Sequence, residues 1–365
     1  MDTPPVEIRR SLLPFSWLYG AGVRFRNFLF DHHILKQEKF PVPIICVGNI
    51  TVGGTGKTPH IEYLIELLSS RYKVAVLSRG YKRKTKGFLM VEEDSKAAEV
   101  GDEPLQIKRK YPRTLVVVDK NRRRAIKKLL DSGQGERPDV ILLDDGFQHR
   151  YVQPSLSILL VDSHRPVYED QLLPAGSLRE SISGKNRASM VIVTKCPPDM
   201  QAIDFRIYTK GLNLYPYQNL YFSSIQYGDP VSVFPEFEER GQKADILPGT
   251  HVLLVAGIAA PEPLVNELKQ KTDSLHTRFF PDHHSFTKDD IRTIRDLFKK
   301  MEGDDKMIVT TEKDAMRFQS LPFLEEDLKK RLYYVPIKVR FIEQSKKEQF
   351  NKKINQHVRN YQTNR

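Results

Sequence analysis

Cysteine is nearly missing from this sequence. The two present, Cys46 and Cys196, lie far apart and lack metal-ligand spacing. A disulfide framework is therefore not expected, and a reducing compartment is the default. No stretch of about 18 uncharged apolar residues occurs, so no helix should span a bilayer. Arg9, Arg10, Arg24 and Arg26 interrupt the apolar N-terminal segment, which argues against a cleaved signal peptide. No internal repeat is evident. Acidic residues are the minority charge, 46 against 58 Lys and Arg, giving a formal net charge of +12. That excess suits nucleic acid, an anionic membrane or a phosphorylated substrate without choosing among them.

The 365 residues are 39% hydrophobic and 28% charged, enough for two ordinary domains with cores. Pro43 to Val47 reads as a buried strand. His60 to Leu68 then has helical period, with Ile61, Leu64, Ile65 and Leu68 on one face. Strands are expected at Val74–Leu77, Leu115–Val118, Val140–Leu143, Ile158–Val161 and Met190–Val193, with a helix at Arg122–Leu130. Such alternation predicts an α/β fold, a doubly wound parallel sheet. A strand-prone, aromatic connector follows, then a second, smaller α/β pattern: strand His251–Val255, helix Pro261–Lys269, strand Lys306–Thr310. The boundaries expected are 1–35 for an N-terminal amphipathic helix, 36–215 for the first domain and 216–250 for linker strands. Residues 251–345 are expected as the second domain and 346–365 as a polar tail, a frayed end or a surface helix.

The strand-to-helix turn after Val47 is glycine-rich: Thr51, Val52, Gly53, Gly54, Thr55, Gly56, Lys57, Thr58. Backbone N–H groups there can wrap phosphate oxygens, Lys57 can meet the outer phosphates, and the Thr58 hydroxyl suits magnesium. Thr51 stands where the P-loop pattern has its first glycine. Downstream, Asp139-Val140-Ile141-Leu142-Leu143-Asp144-Asp145 resembles a Walker B strand with acids at its tip.

Three classes of P-loop protein compete. A GTPase needs a guanine-reading Asn-Lys-x-Asp box, and Thr194-Lys195-Cys196-Pro197 lacks its Asp. A partitioning-type ATPase needs a second lysine where this chain has Val52. A small-molecule or lipid kinase needs an acid near the γ-phosphate and a cationic acceptor site. Gly101-Asp102-Glu103-Pro104 and Asp119-Lys120-Asn121-Arg122-Arg123-Arg124 can supply both. A kinase acting on another phosphorylated sugar or lipid, and a nucleotide-dependent switch, stay open on these residues.

The motifs together resemble the tetraacyldisaccharide 4'-kinase family. The likeness runs through Val47-Gly48-Asn49, the Gly53–Pro59 loop, Ser78-Arg79-Gly80-Tyr81 and Gly101-Asp102-Glu103-Pro104. It continues in Leu143-Asp144-Asp145-Gly146-Phe147-Gln148-His149, in Leu173–Glu180 and in Val193–Cys196. The second half adds Ala256–Ala259, Phe280-Pro281-Asp282-His283-His284-Ser285-Phe286 and Thr311–Ala315. Thr51 follows that family's own loop.

The resemblance implies an ATP- and Mg2+-dependent phosphorylation of the 4'-hydroxyl of a tetraacyldisaccharide 1-phosphate, at the cytoplasmic face of a bacterial inner membrane. The partners implied are a lipid substrate and a membrane surface, not nucleic acid. Two α/β domains joined by a two-stranded linker are implied, with the site in their cleft. Asp102 would be the base, paired with His283; a helix cap is the other reading of Asp102, since Pro104 follows it. Magnesium is expected at Thr58, Asp145 and Gln148, with Glu103 as an outer ligand. Substrate-binding candidates are Arg79, Arg122, His149, Arg179 and Glu180, because guanidinium groups suit phosphate. Lys313 and Asp314 are expected to stabilise the second domain, and Thr194 and Lys195 to approach the adenine or ribose. The Trp-, Phe- and Arg-rich N-terminal helix fits a membrane interface.

Overall fold

Short apolar runs bounded by turn residues become strands, and the amphipathic stretches between them become helices, in a computed structural model that describes residues 8–131, 133, 137–237, 245–282 and 284–363. The chain begins with α1 (Leu13–Asp31), β1 (Ile44–Gly48), α2 (Lys57–Leu68), β2 (Val74–Ser78) and β3 (Leu89–Met90). Then come α3 (Ala97–Val100), α4 (Asp102–Lys110), β4 (Leu115–Val118), α5 (Arg122–Asp131), β5 (Val140–Asp144) and β6 (Leu156–Asp162). β7 (Met190–Thr194), α6 (Ala202–Leu212), β8 (Asn219–Tyr227) and β9 (Val231–Ser232) lead into β10 (His251–Ala256), α7 (Glu262–Lys269) and β11 (Ser274–Phe279). The last elements are α8 (Lys288–Lys300), β12 (Lys306–Thr311), α9 (Glu312–Gln319), α10 (Glu326–Lys329), β13 (Leu332–Val335), β14 (Ile337–Phe341) and α11 (Gln344–Thr363).

The first sheet has nine strands in the order β14-β8-β7-β6-β1-β5-β2-β4-β3. From β8 through β4 every neighbouring pair is parallel. β1, β2, β5 and β7 are buried at every residue, as a sheet covered on both faces requires. Alternate residues feed two cores. One holds Ile44, Cys46, Leu77, Ile126 and Ile141; the other holds Ile50, Leu159, Val161, Val191 and Val193. The chain winds from β1 outward to β2 and β4, returns to β5 beside β1, then crosses to β6 on the other flank. The turn after β1 thus sits at the point where the winding reverses, the place such sheets bind ligands.

The second sheet has the order β11-β10-β12-β13-β9, with only β9 antiparallel. Along β10, Leu253 and Val255 face one core while Val252, Leu254 and Ala256 face the other, the period of two that a strand imposes.

The two compact units do not follow the linear division expected from the sequence. Asp94–Gln106 groups with Gln226–Lys338 in the second unit, and Val339–Arg365 returns to the first. Residues expected as a polar tail form α11, whose Phe350, Ile354 and Val358 are fully buried. Phe350 packs on Tyr221 and Phe341 at ring-centroid distances of 5.2 and 5.0 Å. Residues 216–250, expected as linker strands, contribute β8 to the first sheet and β9 to the second. Glu238 to Ala244 of that stretch lie outside the described residues.

Candidate active site

β1 ends at Gly48, and the loop that follows is held from below. A Cβ on Gly48 would lie 2.7 Å from the Cβ of Phe147, so only glycine lets the turn after β5 cross this strand end. Asn49 is buried and its amide donates to Thr55 Oγ1 at 2.9 Å, with Thr51 Oγ1 at 3.5 Å. Val52 N–H donates to the Ser177 carbonyl at 2.8 Å, and Arg179 N–H to the Ile50 carbonyl at 2.7 Å. The chain on either side of Thr51 is thus bonded to residues 177–179, and Thr51 itself is buried rather than open to a phosphate. Gly56 takes φ +81°, a left-handed conformation, and serves as the N-cap of α2. The N–H groups of this loop and the first turn of α2 make an anion cradle.

Lys57 Nζ stands 3.7 Å from Asp145 Oδ1. Asp145 follows β5 in a strained left-handed conformation, φ +46°. Arg179 Nη1 reaches both its oxygens, at 3.2 and 3.1 Å. Burial would push this carboxyl up, but the Lys57 ammonium and the Arg179 guanidinium outweigh it and hold the group below the usual carboxylate range. Asp144 points elsewhere and accepts from Ser78 Oγ at 2.9 Å. Gln148 donates to the Asn49 carbonyl at 2.6 Å and to Glu180 Oε1 at 3.0 Å, and turns its amide oxygen to Arg179 at 3.5 Å.

Glu180 is 2% exposed, and its second oxygen accepts from Arg187 at 2.8 Å. This carboxylate therefore ties the 177–180 segment to the Gln148 turn. Arg122 is buried at the start of α5, with Nε lacking a hydrogen-bond partner. Its charge faces Asp144 and Asp145. Arg79, after β2, is exposed. The His149 proton is disfavoured by burial and then by Arg122, Arg26, Arg123 and Arg79, lowering its pKa to about 4. A neutral imidazole amid four guanidinium groups gives this surface a positive potential.

Helix α1 braces this region. Tyr19 donates to the Arg179 carbonyl at 2.8 Å and Arg26 to the Gln148 carbonyl at 2.7 Å. Its inward side is small or polar over the first turns, where Ser16 donates to the Leu172 carbonyl at 2.9 Å and Gly20 lies against Leu172, and ends in the buried Phe30 ring, packed on Tyr151. Several of its large apolar residues face outward, Trp17 at 72% and Leu18 at 73% exposure, with Phe15 and Phe25 also exposed. No helix among the described residues is long and apolar enough to cross a membrane.

On the second unit, Asp102 opens α4 and its Oδ2 accepts from Arg317 Nε and Nη2 at 3.0 and 2.8 Å. Arg317 also donates to Asp314 Oδ1 at 2.6 Å. Asp314 is fully buried and receives the Gly257 N–H and the Thr311 hydroxyl, each at 2.8 Å. Lys313 lies 3.8 Å from Glu103 and 3.5 Å from Asp282. His283 lies outside the described residues. His284 contacts Asp290 at 2.9 Å and stacks on Phe280.

Thr194 and Lys195, expected near the base or ribose, are engaged within the protein. Thr194 is buried and donates to the Thr55 carbonyl at 3.0 Å; Lys195 pairs with Asp162 at 2.7 Å. Sequence reasoning passed over His60, Arg187 and Arg317. His60 carried a readable signal, four residues after Gly56 and so one helical turn above it. Arg317 had no comparable signal, because its partner Asp102 is remote in sequence.

His60 also sets a pH dependence. It is buried, and burial lowers its pKa from 6.5 to about 4. Above pH 6.5 folded and unfolded chains are alike at this site. Below it the unfolded chain takes up the proton first, so stability falls as pH drops from about 6.5 to about 4 and then levels off. The loss from this residue is on the order of 3 kcal/mol. Thermal unfolding at pH 7 and pH 4.5 should therefore show a smaller gap in His60→Asn than in the unsubstituted chain; an equal gap would remove His60 as a source.

The family model described as tetraacyldisaccharide-1-P 4'-kinase (LpxK) matches residues 8–359. A tetraacyldisaccharide 4'-kinase of Parabacteroides distasonis is 51% identical over 353 residues, covering 97% of this chain and 95% of that protein. One from Bacteroides thetaiotaomicron is 51% identical over 365 residues, covering 98% and 96%. Among solved structures, LpxK from Aquifex aeolicus in complex with ATP matches with TM-score 0.73 and 31% identity, over 96% of this chain and 99% of that one. With its phosphate loop, paired aspartates and basic surround accounted for, this chain belongs to the tetraacyldisaccharide 4'-kinase family.

Proposed function

We infer that the chain transfers the γ-phosphate of ATP to the 4'-hydroxyl of a tetraacyldisaccharide 1-phosphate, giving the tetraacyl bisphosphate precursor of lipid A. The observation that carries this reading is the convergence of Lys57, Arg179 and Asp145 beside the phosphate loop. Phosphoryl transfer asks the protein for alignment and charge neutralisation, and these groups offer both. Lys57 meets the outer phosphates, and the loop amides hold the inner ones. Asp102 takes the proton from the 4'-hydroxyl, with His283 as its partner. Arg79, Arg122 and His149 face the acceptor's anionic groups, while Arg179 and Glu180 hold the loop that faces it.

The residues present fit magnesium. Thr58, Asp145 and Gln148 offer only oxygen atoms, with a single carboxylate, as suits a hard ion that keeps waters and shares phosphate oxygens. No group of three or more His, Cys, Asp or Glu among the described residues forms a dedicated cage. Bound there, with Glu103 as an outer ligand, magnesium supplies charge neutralisation at the phosphates.

The deciding experiment incubates purified chain, ATP and magnesium with disaccharide 1-phosphate in detergent. A 4'-phosphorylated product is expected; ATP turnover without it would sink the reading. The setting follows from the substrate, whose four acyl chains keep it in a bilayer. We place the chain peripherally at the cytoplasmic face of the inner membrane through α1, whose Trp17 and Leu18 are largely exposed and lie outside the buried core. Trp17→Ser with Leu18→Ser should weaken co-sedimentation with anionic vesicles about tenfold or more, by loss of buried apolar area. Unchanged co-sedimentation would refute this anchoring.

A further inference from the structure

Two consecutive peptide groups of the phosphate loop have their carbonyl oxygens held by side chains. The Thr55 carbonyl accepts from Thr194 Oγ1 at 3.0 Å, nearer than the Val161 carbonyl at 3.3 Å. The Gly56 carbonyl lies 2.7 Å from His60 Nδ1, besides accepting the His60 N–H at 3.3 Å. A carbonyl can only accept, so His60 carries its proton on Nδ1. Nε2 is then the acceptor for Ser223 Oγ–H, at 3.1 Å. Burial, which lowers the pKa of this imidazole, keeps it neutral, and the Gly56 carbonyl selects the tautomer.

In a trans peptide the C=O and the following N–H point in opposite directions. Fixing the Thr55 carbonyl therefore aims the Gly56 N–H, and fixing the Gly56 carbonyl aims the Lys57 N–H. These lie at the mouth of the loop, where the dipole of α2 also favours negative charge. Thr194 comes from the end of β7 and Ser223 from β8, so the adjacent strands of the sheet set the loop's geometry.

We propose that Thr194 and His60, the latter backed by Ser223, are positioning residues that pre-orient the Gly56 and Lys57 amides for the phosphates of ATP. Neither touches the nucleotide. The cost of ordering the loop is met on folding, so less is lost when ATP binds.

The proposal rests on ATP occupying this loop, and the test separates the two. Thr194→Val keeps shape and removes the donor; Thr194→Ser keeps the donor. His60→Leu removes the donor, while the amide nitrogen of His60→Asn can stand where Nδ1 stood. Valine and leucine should raise the KM for ATP about tenfold, the scale of one lost buried hydrogen bond, and leave the KM for the lipid acceptor within about twofold. Serine and asparagine should restore most of the ATP affinity. Thermal unfolding without nucleotide monitors folding, and the Thr194 pair decides the matter should His60→Leu fail to fold. Unchanged ATP affinity in folded Thr194→Val, or equal losses for valine and serine, would overturn the proposal. An unsubstituted chain that fails to bind ATP would instead overturn the assignment of the loop.

Discussion

Replacing Lys57 with methionine should lower kcat about a thousandfold, the scale seen when a group that stabilises transition-state charge is removed. Methionine nearly matches the aliphatic stem, so packing at this mostly buried side chain is preserved. Asp145 would keep Arg179 at 3.1 Å, which prevents an uncompensated buried carboxylate. Its carboxyl should nevertheless move back up, because Lys57 is the foremost of the cations holding it down. The acidic limb of the rate profile, where Asp145 governs it, should move to higher pH. Steady-state kinetics at saturating ATP and magnesium measure the first effect. A loss smaller than about tenfold would remove Lys57 from the charge-stabilising role.

Asp102→Asn should cost about a thousandfold in kcat, within the range for a missing general base, with the affinity for ATP unchanged. The expectation on affinity follows from the division of labour: the phosphate loop belongs to the first unit and Asp102 groups with the second. Asparagine can still accept from Arg317, whose charge remains paired with Asp314 at 2.6 Å. A purely structural Asp102 would therefore show little loss of rate, and any loss would track a fall in thermal stability. Loss of rate at unchanged melting temperature supports the base; a rate near that of the unsubstituted chain ends the assignment.

Much of this architecture was legible because its causes are local. The strand before the phosphate loop, the helix after it and the paired aspartates are short-range patterns of burial period and turn chemistry. The second α/β unit was visible for the same reason. What the sequence hid were partnerships between distant positions. Arg317 meets Asp102 while its guanidinium is held by the Gly257 carbonyl, just after β10, and by Asp314 on α9, itself fixed by the Gly257 N–H and the Thr311 hydroxyl at the end of β12. That cluster explains why Asp94–Gln106, which reads as continuous with the first domain, groups with the second. The buried side of the C-terminal helix was hidden by composition. Its surface is dense in Lys, Asn and Gln, and only Phe350, Ile354 and Val358, spaced at four, mark the buried side. Glu180 and Thr194 show the same limit: the sequence places them near a ligand but does not reveal their internal partners, Gln148 and Arg187 for the first and the Thr55 carbonyl for the second.

Both cysteines are packed away. Burial pushes the Cys46 and Cys196 thiols up to about 12, so at neutral pH neither offers a thiolate to a reagent. The chain is consequently a silent background for site-directed labelling. Ile203 on the first unit and Leu247 on the second are both 59% exposed, and a cysteine introduced at each would carry a spin label or dye pair without removing the native thiols. Distance distributions recorded with and without nucleotide would then report directly on the separation of the two units in solution.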